Sequence, residues 1–255
     1  MENNEKYTIL EVGKDNIDRY GFFCMRSKKG TTGYTNKYNW IVDRFNENIR
    51  LKILTIGERQ IGFIEYIPIE YAWRGVKGNN YLFIHCLWIV GQGKGHGYGK
   101  ILLDECINDA MKFNKSGVAI LASEGSFIAD KPFFLSQGFS LVESRENFDL
   151  LVKKIDDSSL VPKLTDLNET YSIGNENFVI FKSDQCPYIE NTVQIVKETA
   201  DELGVNCEIV DLKTAEEAQK NPSLYGVFSI YFRGEIISYH PITKKELLKR
   251  LNSYI

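Results

Sequence analysis

Apolar and polar positions recur along this chain with two periods, and the two periods mark out its elements. Residues 7–12 (YTILEV), 50–56 and 60–67 carry the apolar runs of strands, the last two joined by Gly57-Glu58-Arg59. Residues 37–45 set Trp40, Ile41, Val42 and Phe45 near helical spacing. Residues 81–90, YLFIHCLWIV, form a long apolar strand. A helix is predicted over 101–113, where Leu102, Leu103, Cys106, Ile107, Ala110 and Met111 make one apolar stripe. Gly117 closes it and 118–122 is the next strand. Residues 131–137 read as a short helix with Pro132 in its first turn and Gly138 at its end. Strands follow at 139–143 and 148–155.

Residues 156–177 are polar and weakly patterned, which marks a linker or domain edge. A second pattern then begins. A strand at 178–181 leads to a helix at 189–203 ended by Gly204, a strand at 207–212 and a short helix at 215–220. A hairpin follows, 227–232 and 235–239 through Arg233-Gly234, and Thr243 caps a last helix over 244–251. The expected division is a first domain at 1–157, a linker at 158–176 and a second domain at 177–255.

Composition narrows this picture by exclusion. The 255 residues are 43% hydrophobic and 25% charged, which excludes collagen-like, low-complexity and wholly disordered chains. Lys+Arg 31 against Asp+Glu 34 leaves a net charge of −3 with no basic patch, so nucleic acid is not an expected partner. No apolar run reaches the ~20 residues of a spanning helix, and MENNEKYTIL does not read as a secretory signal. The cysteines (Cys24, Cys86, Cys106, Cys186, Cys207) are odd in number and widely spaced, and His85, His96 and His240 are scattered. Neither a disulfide framework nor a metal site is expected, and a cytoplasmic location is.

The densest glycine cluster, GQGKGHGYGK at 91–100, lies between the apolar strand and the helix. Backbone N–H groups at a helix start lack partners and the helix dipole favours an anion there. Walker A fails, because Gly99-Lys100 is followed by Ile101 and Lys94 holds the first-glycine slot. The dinucleotide fingerprint fails for every starting glycine. A bare turn needs one or two glycines, and each further one costs roughly 0.5–1 kcal/mol in regular structure, so a ligand loop is the favoured reading.

Lys94-Gly95-His96-Gly97-Tyr98-Gly99, followed downstream by Pro132 to Phe139 (PFFLSQGF), resembles the acyl-CoA loop and the short Gly-Phe helix of the GNAT superfamily of N-acetyltransferases. The resemblance covers about residues 5–155. Residues 62–91 are similar to the GNAT proteins that carry a YoaP-like C-terminal domain, which extends the likeness over nearly the whole chain. The implied fold is a GNAT-like mixed sheet with flanking helices, followed by a smaller thioredoxin-like α/β domain. The implied co-substrate is acetyl-CoA, with no metal. Its pyrophosphate would meet Lys94, Gly95, His96, Gly97, Tyr98, Gly99 and Lys100, and its pantetheine the backbone of Leu87, Trp88 and Ile89. The strands at 81–90 and 118–122 would splay to admit the thioester.

The chain departs from the family at two positions. Phe134 stands where many relatives place an acidic tyrosine, leaving it only as a cofactor-side packing residue, and the residue near Phe127 replaces an asparagine. Glu65 and His85 are the candidate catalytic residues, either serving through water as base for the incoming amine. Their plain alternatives are a carboxylate on a solvated strand face and a core histidine. Tyr66, Cys86 and Glu124 lie nearby, Cys86 reading as a small buried hydrophobe. Trp73 and Arg74 could face an acceptor or simply pack.

Residues 177–252 resemble thioredoxin- and glutaredoxin-like domains, with Cys186-Pro187-Tyr188-Ile189 at a helix start. Ile189 takes the place of the resolving cysteine, and Tyr225-Gly226-Val227-Phe228 stands where that family has a proline. Cys186 is therefore either a monothiol or part of a redox-dead module that docks an acceptor or makes a homodimer. The implied function is acetyl transfer to the amine of a small molecule or peptide, without membrane attachment. The alternatives are a non-catalytic acyl-CoA sensor and a monothiol redox protein acting through Cys186.

Overall fold

A computed structural model describes residues 6–123, 130–166 and 177–252. In chain order the strands are β1 (Tyr7–Val12), β2 (Arg50–Ile56), β3 (Arg59–Pro68), β4 (Val76–Lys77), β5 (Tyr81–Ile89), β6 (Gly117–Ser123), β7 (Ser140–Arg145), β8 (Phe148–Lys154), β9 (Lys163–Leu164), β10 (Phe178–Lys182), β11 (Cys207–Asp211), β12 (Phe228–Phe232) and β13 (Glu235–Ser238). The helices are α1 (Ile17–Tyr20), α2 (Thr32–Arg44), α3 (Tyr98–Lys112), α4 (Lys131–Ser136), α5 (Ile189–Leu203), α6 (Ala215–Gln219) and α7 (Lys244–Leu251).

The chain forms two compact units. One gathers Met1–Arg26, Ile41–Ala72 and Lys77–Leu164; the other gathers Ser27–Trp40, Trp73–Val76 and Thr165–Ile255. Residues 27–40 and 73–76, which the sequence places within the first 157, thus belong to the second compact unit. Residues 167–176, part of the expected linker, lie outside the described residues.

The first unit is a seven-stranded sheet in the order β1-β2-β3-β5-β6-β8-β7. Every neighbouring pair is antiparallel except β5 and β6, which α3 joins as a parallel crossover. One face packs Ile64, Tyr66, Leu82, Ile84, Val118 and Ile120 under Leu102, Leu103, Cys106 and Ala110, the stripe predicted for the helix. Burying a leucine of this kind contributes roughly 1.5–3 kcal/mol, which fixes α3 on this face. The helix begins at Tyr98, three residues before the predicted start, because Gly99 and Lys100 hide its first turn from apolar periodicity.

The second unit has a four-stranded sheet in the order β11-β10-β12-β13. The β10–β11 pair is parallel, and β12 is antiparallel to both β10 and β13. Capping boxes Thr214/Glu217 and Thr243/Glu246 start α6 and α7, each side chain satisfying an otherwise orphan N–H. Thr192 on α5 donates to the Ile242 carbonyl at 3.2 Å and accepts from its N–H at 3.1 Å, which ties α5 to the approach to α7.

Candidate functional site

The parallel ladder between β5 and β6 is short. It runs from Tyr81 opposite Gly117 to Ile84 opposite Ile120 and stops. Beyond that point β5 continues on β3 as far as Ile89 opposite Gly62, and β6 continues on β8 as far as Ser123 opposite Phe148. The two strands therefore part in the middle of the sheet. A bulge sits at the parting: Glu65 pairs with Cys86 and Tyr66 with Ile84, leaving His85 as the extra residue of β5. Bulges sharpen strand twist and re-aim side chains, which turns the far half of β5 away from β6. That half carries Leu87, Trp88 and Ile89, with Trp88 47% exposed.

The glycine loop begins at the end of this released strand. The Val90 N–H donates to the Ile61 carbonyl at 2.9 Å, a turn of 3₁₀ helix spans Gly91–Gly93, and α3 starts after Gly97. Gly95 and Gly97 have φ of +82° and +76°, a conformation that costs other L-residues about 1–2 kcal/mol, and an added Cβ on either would meet nothing within 4 Å. Backbone conformation, not crowding, demands glycine there, and the space in front is open. At Gly93 the reason is the opposite, since a Cβ would come within 2.4 Å of Ile61 Cγ2.

The first-turn N–H groups of Tyr98, Gly99 and Lys100 have no intrahelical acceptor, and Gly97 brings no capping side chain. The first turn of α3 contains no acidic residue. Lys94 is exposed, its Nζ 5.7 Å from the Trp88 ring centroid, and Lys100 reaches Asp104 at 2.5 Å. The rings of His96 and Tyr98 stack with centroids 5.7 Å apart. Open donors, a helix dipole and two cations make this end of α3 suited to an anion of the phosphate class.

Glu65 and His85 come together on the face of the sheet opposite α3. Glu65 Oε1 lies 3.4 Å from His85 Nδ1, and the two side chains are 2% and 0% exposed. The Phe83 ring meets His85 edge-on at 5.9 Å, and Phe23 stacks on Phe63 at 4.8 Å. A solvated strand face is thus excluded for Glu65. A carboxylate held beside an imidazole can pass a proton between them or fix the ring's orientation.

Tyr66, next in sequence, points the other way, and its hydroxyl donates to Asp109 Oδ2 at 2.5 Å. Lys52 Nζ binds Glu105 at 2.8 Å and Asp109 at 3.1 Å. Burial, with Cys106 and Asp109 beside it, pushes the Tyr66 phenol far up, and burial does the same to the Cys106 thiol. Burial alone would lower Lys52, but its bonds to Glu105 and Asp109 outweigh that and raise it. All three side chains stay protonated near neutrality and hold α3 to the sheet. The sequence held one faint signal of this network, the i,i+4 carboxylates Glu105 and Asp109 on the otherwise apolar helix.

Phe134 is 1% exposed and packs edge-on against Phe133 and Phe139 at 5.0 and 5.3 Å. It is a core side chain beneath the loop, while Phe133 approaches Gly99. Cys86 is half-buried. Glu124 and Phe127 lie outside the described residues. In the second unit Cys186 is half-buried two residues before Tyr188, the N-cap of α5, and Ile189 is 1% exposed. Burial raises the thiol of Cys207. Trp73 and Arg74 are 1% and 5% exposed and pack inside the second unit. Among the described residues no group of His, Cys, Asp and Glu is arranged to hold a metal, and no helix is long and apolar enough to cross a membrane.

Residues 10–139 match the description of the acetyltransferase (GNAT) family, and residues 207–249 match the YoaP-like family. The uncharacterized N-acetyltransferase YoaP of Bacillus subtilis (strain 168) is 30% identical over 248 residues, covering 96% of this chain and 98% of that protein. Among solved structures, the PaiA N-acetyltransferase from Thermoplasma acidophilum in complex with coenzyme A is 15% identical, with a TM-score of 0.43 over 58% of this chain and 99% of the other. The ribosomal-protein-S18-alanine N-acetyltransferase from Escherichia coli is 12% identical, with a TM-score of 0.41 over 59% of this chain and 95% of the other.

Proposed function

The chain belongs to the acetyltransferase (GNAT) family, and from that premise we propose that it transfers an acetyl group from acetyl-CoA to the amine of a small molecule or peptide by direct attack. The observation that carries the reading is the parting of β5 and β6 directly before the open N-terminus of α3. In this reading residues 1–157, apart from the 27–40 and 73–76 pieces that join the second unit, form the acyl-transfer domain and 177–255 the thioredoxin-like one, whose strand order supports that likeness.

The backbone N–H groups from Gly95 to Lys100, with Lys94, hold the pyrophosphate. The released backbone of Leu87, Trp88 and Ile89 pairs with the pantetheine amides, and Phe134 packs the floor below. Acetyl-CoA supplies a thioester whose carbonyl carbon accepts the amine nitrogen as the carbon–sulfur bond breaks. Glu65, through His85 or a water, takes the proton that the amine gives up. Phe134 carries no hydroxyl, so the departing thiolate takes its proton from water.

The test is acetyl-CoA turnover against a panel of amines and short peptides, followed by chromatography of free CoA. Amine-dependent release, reduced at least ~10-fold in Glu65→Gln, is expected from the size of general-base effects. Turnover unchanged in that variant removes the role of Glu65. Binding of acetyl-CoA without turnover on any amine favours the sensor reading, which Phe134 alone supports. Absence of binding, with a Cys186 thiol that titrates well below the usual ~8.5, favours the monothiol reading.

A further inference from the structure

The second unit incorporates a short piece of the chain from far upstream. Trp73–Val76 lies in sequence between β3 and β5, yet every contact described below is made within the second unit. The Gly75 N–H donates to the Leu224 carbonyl at 2.8 Å, and the Gly75 carbonyl accepts from the Thr165 N–H at 2.9 Å. The backbone of Gly75 is thus bonded to two separate segments of the unit, while the Val76 N–H turns back to the Arg74 carbonyl at 2.7 Å. Two glycines permit the approach. A Cβ on Gly75 would lie 2.9 Å from Leu224 Cα, and one on Gly226 would lie 2.7 Å from the Trp73 carbonyl oxygen and 2.9 Å from Arg74 Cα. Real Cβ atoms are not found that close to backbone, so this packing is written into the sequence at both partners.

Side chains complete the seat. Arg74 Nη1 donates to Gln185 Oε1 at 2.6 Å and to the Trp73 carbonyl at 2.8 Å, and its guanidinium lies 4.7 Å from the Tyr225 ring centroid. Arg74 and Gln185 are 5% and 6% exposed, so the bond between them is shielded from water, where such bonds count most. The Trp73 ring packs edge-on against Trp40 at 5.3 Å, and Lys37 Nζ lies 4.2 Å from the Trp40 ring centroid.

We infer that Trp73–Val76 is the resident ligand of the C-terminal unit: the seat built by Gln185, Leu224, Tyr225 and Gly226 exists to hold this segment of the same chain and is closed to outside peptides. The second unit then holds the connection from β3 to β5 at Trp73–Val76. This inference stands whether or not the acyl-transfer reading does, since no acyl group takes part in it.

The test is hydrogen exchange by NMR on the full-length protein. The Gly75 amide exchanges at least ~100-fold more slowly than an unstructured amide and in step with β12, because both open only when the unit opens. Arg74→Ala speeds exchange of Gly75 and of the β10–β12 amides at least ~10-fold, while the β5–β6 amides in the first unit keep their rates. Excess synthetic peptide of sequence YAWRGVKG leaves Gly75 exchange in the wild type unchanged. A Gly75 amide that exchanges at the unstructured rate overturns the inference. So does a saturable effect of the peptide on the wild type, which would mark an open seat. If Arg74→Ala does not fold, the two wild-type measurements still decide the matter.

Discussion

Gly97→Glu and Gly97→Ala separate two consequences of one backbone position. Both place a side chain at φ +76°, ψ 0°, and in both the Cβ enters open space, so neither meets a clash. The shared left-handed strain is about 1–2 kcal/mol, offset by about 0.4–1 kcal/mol from the reduced freedom of the unfolded chain. Gly97→Ala should therefore lose about 0.5–1.5 kcal/mol of stability, and Gly97→Glu should lose less. A carboxylate at a helix N-terminus gains about 0.3–1 kcal/mol from the dipole, and no other acidic residue occupies that first turn. Binding should rank the other way. If an anion sits on the N–H groups of residues 98–100, the glutamate repels it and displaces about two charge-assisted hydrogen bonds. At about 1.5–3 kcal/mol each, the loss is on the order of 10² to 10⁴-fold in affinity. Titration calorimetry with acetyl-CoA and free CoA, beside denaturant melts of the same samples, reads both rankings. Affinities for the two variants within about threefold of each other, with the wild type binding, would refute the placement of the anion at this helix end.

Lys52→Met should cost about 1.5–3 kcal/mol in urea unfolding, because it removes the close cation of Glu105 and leaves Asp109 only Arg50 at 3.8 Å; a loss under ~0.5 kcal/mol would show that the network is not holding α3. Gly62→Ala should cost about 1–3 kcal/mol, since its Cβ would come within 2.3 Å of Ile89 Cδ1 and 2.7 Å of the Trp88 carbonyl, and thermal melts check this. Asp149 offers a pH test. Burial works to raise its carboxyl, but hydrogen bonds from Lys131 and Ser144 and the charge of Lys131 outweigh that and leave it below its ordinary value. A depressed carboxyl stabilises the fold above its unfolded pKa and loses that stabilisation as pH falls through the folded value. Asp149→Asn should therefore narrow the stability difference between pH 7 and pH 3; acid unfolding curves of the two proteins that stay parallel would contradict it.

The strands of the two larger sheets were legible because alternation and apolar runs report burial directly, and α3 was legible through its stripe; the two-residue β4 and β9 were not, β9 falling in the stretch read as linker. Its start was not, because glycines carry no periodicity and Tyr98 to Lys100 look like loop. The glycine loop stood out by its density, but the sequence does not say that Gly95 and Gly97 are required by backbone angle while Gly93 is required by Ile61. Glu65 illustrates a different limit. Period two says only that Glu65 and Tyr66 face opposite ways; it cannot say that both faces are covered. The distance of 3.4 Å to His85 depends on a bulge, and a bulge is set by pairing across strands. Least legible was the membership of residues 27–40 and 73–76 in the second unit. Their partners lie far along the chain, and Trp73 and Arg74 read equally well as packing or as an acceptor contact.

That interleaving bears on how the protein is made. The backbone of Gly75 is bonded by Leu224, and Gly33 packs so closely on Pro187 that a Cβ there would lie 2.2 Å from its carbonyl oxygen. A ribosome adds ~5–20 residues each second, so the ~150 residues between Gly75 and Leu224 take about 8–30 s to emerge. Throughout that interval Trp40 and Trp73 have no finished unit to enter, and two aromatic anchors wait in a nascent chain whose first sheet can already be closing around them in sequence. Stop codons or truncations placed after the first sheet would leave both tryptophans permanently without their site, so the safe boundary for expressing a fragment does not lie in the polar stretch between the two sheets.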